Sequence, residues 1–179
     1  MPAIPIGLGL SIGQSGDLTA INYLQTTFQR GMAGNEIRHE MNFYNQVRVV
    51  YGPVPDWNTV VDPDHPETWA RETVLIKCDQ LQVTAVKEPG SPSDEYNLVA
   101  AGNTLVEGAA YTARAPRVTY AQGKGLVVIE GDARTPAELY RQKHAGGQNS
   151  GTTAQRFMVW PETNRVQVDG ATFLDLTPN

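Results

Sequence analysis

A two-armed unit that ends in glycine and recurs constrains this chain more than any other feature. Its clearest copy runs from Thr112 to Ala133: an extended arm with Val118 and Tyr120 in alternation, a Gln122-Gly123-Lys124-Gly125 turn, and a β-branched arm from Leu126 that reaches Gly131. Period-two alternation on both sides of a glycine-bearing turn is the pattern of a β-hairpin. A second copy spans Thr153 to Trp160, a Pro161-Glu162-Thr163-Asn164 turn, and Val166 to Ala171. A weaker third has arms at Gln80 to Ala85 and Leu98 to Asn103 around a long turn from Pro89 to Asp94. Gly102, Gly131 and Gly170 close the second arms at intervals of 29 and 39 residues, so loops vary while the unit persists. A hairpin cannot bury a face alone, and copies that stack build an elongated β structure.

The rest of the chain is consistent with that expectation. Its 179 residues suit a single domain over 1–179, which can itself be a piece of a longer chain. Seventeen Gly, twelve Pro, 18% charged residues and no stretch with a 3.6-residue apolar period predict an all-β fold with little helix. Residues 1–16 read as a flexible or edge-strand lead-in, and 53–73 as an irregular insertion containing Trp57 and Trp69. Ile37, His39, Met41 and Phe43 alternate with polar residues, predicting a strand with His39 on its buried side. Val47, Val49 and Tyr51 predict a second strand, halted at Gly52-Pro53. Thr135-Pro136-Ala137-Glu138 has the local chemistry of a helix start. The span before Gly146 allows barely two turns and stacking requires a strand there, so a strand is predicted from Thr135 to Gln142. Gly146 to Gly151 reads as a loop tip, and Phe173 to Leu176 as a short final strand.

Composition and spacing narrow the chemistry. A formal charge of -5 argues against a nucleic-acid partner bound through its phosphates. Residues 114–165 nevertheless hold eight Lys or Arg against four Asp or Glu, which reads as a solvated outer face or, alternatively, as a site for an anionic lipid head. The lone Cys78 excludes an internal disulfide and sits in an alternating run, as a buried inert thiol would. No apolar run is long enough for a transmembrane helix, and Met1 to Leu10 lacks the basic start of an export signal. His39, His65 and His144 are scattered, and Asp62-Pro63-Asp64-His65 has no further ligand cluster after it, so no metal or other cofactor is expected. Asp94-Glu95 and Glu130 with Asp132 read as solvated pairs, and Ser150 has no neighbouring base. No catalytic residue is assigned, and the expectation is a protein that is not an enzyme.

What remains is the apolar lining. Leu81, Val83, Leu98 and Ala100, then Val118, Tyr120, Val127 and Ile129, then Met158, Trp160, Val166 and Val168 form the inward sets of the three hairpins. Filled by its own side chains, such an interior is a core. Left open as a V-shaped groove it would hold acyl chains, each buried methylene contributing about 0.8 kcal/mol.

At Thr112-Ala113, Val118-Thr119-Tyr120 and Leu126 to Ala133, echoed by Thr153 to Trp160 and Val166 to Ala171, the chain resembles the lipopolysaccharide-transport, organic solvent tolerance (OstA-like) family of periplasmic β-jelly-roll proteins. The resemblance covers about residues 73–176, and the first 70 only by strand pattern. It implies an elongated, taco-like antiparallel jelly roll of V-shaped stacked hairpins that bridges the periplasm with glycolipid acyl chains inside. The implied partners are lipopolysaccharide or another long-chain glycolipid, similar jelly-roll domains joined end to end, and further copies of the chain itself. A structural module that polymerises by edge-strand addition is the alternative reading.

Overall fold

Ten strands pair into a single antiparallel sheet, in a computed structural model that describes residues 21–87, 95–108, 111–142, 149–163 and 165–174. They are β1 (Ile21–Thr27), β2 (Gly31–Asn35), β3 (Glu40–Val54), β4 (Val74–Val86), β5 (Glu95–Gly108), β6 (Tyr111–Ala121), β7 (Leu126–Glu130), β8 (Ala137–Gln142), β9 (Asn149–Trp160) and β10 (Arg165–Leu174). Helix is confined among the described residues to three 3-10 turns, and the protein is an all-β fold of the jelly-roll-like class. The lead-in at 1–16 and the Pro89–Asp94 tip lie outside the described residues.

The topology is a meander of eight rungs among the described residues. β1 and β2 lie end to end along β3, and β7 and β8 lie end to end between β6 and β9. All three sequence-predicted hairpins are present, as β4–β5, β6–β7 and β9–β10.

One line of irregularity crosses the sheet at right angles to the strands. β3 bulges at Asn45-Gln46, the β4–β5 register shifts at Cys78-Asp79 against Gly102-Asn103, β6 crosses at Pro116, and β7 gives way to β8 through Gly131–Pro136. β10 crosses at Gly170, opposite Gln155 of β9. Gly102 and Gly170 have φ of +75° and +63°, a region open to glycine at little cost. A Cβ on Gly131 would lie 2.6 Å from the backbone N of Ala137, so this position admits only hydrogen. The three glycines that end the repeated units are therefore the crease of the sheet.

The crease divides every rung into two leaves whose inner faces meet. Phe43, Leu81, Val83 and Leu98 of the first leaf join Val49, Tyr51 and Cys78 of the second in one buried cluster. Val118, Ile129, Phe157 and Val159 of the first leaf join Ala113, Ala115, Ala137, Leu139 and Ala154 of the second in another. Size is complementary across the fold. Close to the crease the second leaf presents Cys78, Thr104, Ala115, Ala137 and Ala154, all buried, which leaves room for Leu81, Ile129 and Phe157.

Several sequence expectations are corrected by the pairing. The strand expected from Ile37 begins only at Glu40. β2 pairs with β3 from Asn35 against Glu40, so Glu36–His39 is the hairpin turn. His39 is exposed at φ +49° and Ile37 is 93% exposed, so neither is in a core. β3 does not stop at Gly52-Pro53 but runs to Val54, because β1 pairs along its whole second half. Asn149–Gly151, expected as part of a loop tip, are already strand paired to β8. The insertion after β3 is a cover: Val61 and Trp69 pack on Val50, Val54 and Leu75 of the second leaf's outer face, and the Trp69 indole donates to the Asp62 carbonyl at 2.8 Å.

Candidate functional site

The apolar seam between the leaves gathers most of the residues singled out by alternation. Leu81, Val83, Leu98, Val118, Tyr120 and Ile129 are buried, and Val127 packs against both main clusters. They form cross-strand ladders: Val83 beside Leu98 beside Tyr120 beside Val127, and Leu81 beside Ala100 beside Val118 beside Ile129.

Met158 and Trp160 are not part of that seam. The ladders continue from Ile129 to Phe157 and from Val127 to Val159, so Phe157 and Val159 are the inward residues of β9. Met158 follows Val128 on the outer face, and the Trp160 ring is covered there by the Arg165 guanidinium at 4.5 Å. Strand side chains alternate, so an error of one residue moves the whole set to the other face. Phe157-Met158-Val159-Trp160 is apolar throughout and carries no parity of its own. Arg156 does carry it: its guanidinium meets the outer Glu130 at 3.4 Å, which turns Phe157 inward.

The same outer ladder disposes of part of the local positive excess. Arg117 and Arg156 flank Glu130 at 3.8 and 3.4 Å, and Asp169 pairs in register with Arg156. This is an alternating-charge surface and not a concentrated anion patch.

The seam is closed over most of its length. Leu24, Val49, Tyr51 and Ile76 from one leaf and Phe43, Leu81, Val83 and Leu98 from the other leave a space of about 20 Å³, room for about one water. It opens at its ends. Val166 and Val168 of β10 continue the inner ladders from Val159 and Phe157, yet are 37% and 38% exposed. At the other end Met32, paired with Phe43, is 47% exposed. Among the described residues β10 has a strand neighbour on one side only.

Groups with chemical potential elsewhere are engaged locally. Burial pushes the Cys78 thiol up to about 11. Asp132 holds the loop between β7 and β8, its carboxylate accepting from the backbone N–H of Arg134 at 2.8 Å and of Thr135 at 2.7 Å; these bonds lower its pKa. In the cover loop, Asp62 accepts from the Asp64 N–H, Asp64 pairs with Arg48, and His65 pairs with Glu67, which raises the His65 pKa. Among the described residues no group of three or more His, Cys, Asp or Glu is placed to hold a metal ion.

No protein-family model matches the sequence, and neither does any curated protein.

Proposed function

We propose that this chain is a non-catalytic module of lipopolysaccharide or long-chain glycolipid transport, one segment of an elongated apolar β seam of the OstA-like kind, working in the periplasm. The observation that carries the reading is the exposed inner face of β10. Val166 and Val168 extend ladders that are buried one strand earlier, and among the described residues β10 has a strand neighbour on one side only. Covering the remaining exposed part of both side chains is worth about 1–2 kcal/mol. Strand addition supplies the backbone hydrogen bonds as well. Rung parity suits such addition. With eight rungs among the described residues, the first of these and the last run in opposite directions, so a second copy placed head to tail pairs antiparallel with its crease aligned. A head-to-tail contact of this kind propagates as an open array.

A second reading, a structural module packed solid, is favoured by the 20 Å³ left within the closed seam, which no acyl chain enters unless the leaves part. Val168→Asp against Gln167→Asp separates the two. Both changes lie on β10, but Val168 continues the inner ladder and Gln167 pairs with the outward Met158. Wild type and Gln167→Asp are expected to gain thermal stability with a lipid A-type glycolipid and to self-associate, while Val168→Asp loses both. Self-association without glycolipid protection would leave only the structural reading, and neither behaviour would sink both.

A further inference from the structure

A more spacious cavity than the one within the seam lies at the crease. About 480 Å³ opens where the crease crosses the first rungs, between the break from β1 to β2, the bulge of β3 and the register shift of β4 and β5. That volume lies within the range of small-molecule sites. We propose that this cavity binds an anionic saccharide, a sugar carrying one phosphate or carboxylate group, and the proposal stands independently of the glycolipid reading.

Three observations support it. Arg48 and Lys77 line the cavity and are direct cross-strand partners, two like charges side by side. Like charges directly opposite each other repel, and the Asp64 carboxylate offsets this for Arg48 alone. Arg48 reaches Asp64 at 3.3 Å on one side, whereas Lys77 makes no ion pair among the described residues.

The remaining wall suits hydroxyl groups. Asp79 is held by the Asn103 amide at 3.2 Å and keeps a second carboxylate oxygen for a ligand. The Gln29 amide donates to Gln46, and the Phe28 ring, packed at 5.4 Å on Phe43, gives the cavity an aromatic wall. Carboxylate, amides and one aromatic ring serve a polyol, and Lys77, with the Asp64-paired Arg48 beside it, serves its anionic substituent.

Backbone strain is concentrated in the same place. Four non-glycine residues among those described have positive φ. One, His39, sits in a hairpin turn; the others are Asn45, Gln46 and Asn103. Gly102 takes up the left-handed conformation at this same crossing, and Gly170 does so where β10 crosses the crease. Around the cavity the chain also adopts that conformation with side chains attached, and two of the three, Gln46 and Asn103, line it. Strained backbone of this kind collects at ligand sites.

The test is binding of glucose 6-phosphate and glucuronate to the full chain, by calorimetry and thermal shift up to about 10 mM, with glucose and inorganic phosphate as partial probes. Saturable binding of an anionic sugar, stronger than of either partial probe, is expected. Lys77→Gln should weaken it at least about tenfold. Because the substitution removes one of two adjacent cations, the free variant should be no less stable than wild type. Lys124→Gln, in the turn after β6, should bind normally. No saturable binding of either sugar, or undiminished affinity in Lys77→Gln, overturns the proposal. Equal binding of phosphate alone overturns the saccharide assignment.

Discussion

Removing the ring of Phe157 tests the folded-over sheet most directly, because its neighbour Met158 serves as the internal control. Phe157 is fully buried, paired in register with Ile129 and Val168, and clusters with the small residues Ala137 and Ala154 of the opposite leaf. Phe157→Ala leaves a cavity that alanines cannot fill, at a cost of about 3–5 kcal/mol. For a chain of this size that lowers Tm by roughly 6–20 °C. Met158 lies on the outer face and is half-buried, so Met158→Ala should cost about 1 kcal/mol. Thermal and urea unfolding followed by far-ultraviolet circular dichroism measure both. Equal costs, or a larger one for Met158, would refute the inner and outer assignment of β9 and with it the continuity of the seam.

The crease and the buried thiol give further tests. Gly102→Ala and Gly131→Ala should each destabilise by about 1–3 kcal/mol in urea unfolding, the first from its positive φ and contact with Asp79, the second from collision with the backbone of Pro136 and Ala137. Gly34→Ala, whose nearest neighbour would be 3.9 Å away, should fall within about 0.5 kcal/mol of wild type. Native Cys78 should resist iodoacetamide at pH 8 and react once unfolded; rapid native labelling would contradict its burial. Its folded pKa is raised from 9.0 to about 11. The stability it contributes is therefore full below 9.0 and lost as pH rises toward about 11, and Cys78→Ala should remove that alkaline dependence.

Much of the fold is legible locally. Alternation in Leu81–Val83, Val118–Tyr120 and Val127–Ile129 places each on the correct face, because polar neighbours such as Gln82, Thr119 and Glu130 mark the outside. The pattern fails at Ile37 and His39, where four residues of turn continue the alternation by chance. It also fails at Phe157–Trp160, where every residue is apolar. The 480 Å³ cavity has no signature in the sequence, since its walls come from four strands and its shape from their bulges.

That the chain is built of β-hairpins punctuated by Gly102, Gly131 and Gly170 is written locally, because alternation and glycine act on the backbone residue by residue. That these glycines fall on one crease and that Phe157 and Val159 face inward emerges only when the strands pair, whereas the strand expected from Thr135 to Gln142 forms, from Ala137, despite its helix-like start. The physical reason is that a six-residue segment between β6 and β9 gains hydrogen bonds along both edges, which outweighs local capping. Which face of a strand is buried is likewise fixed by partners distant in the chain.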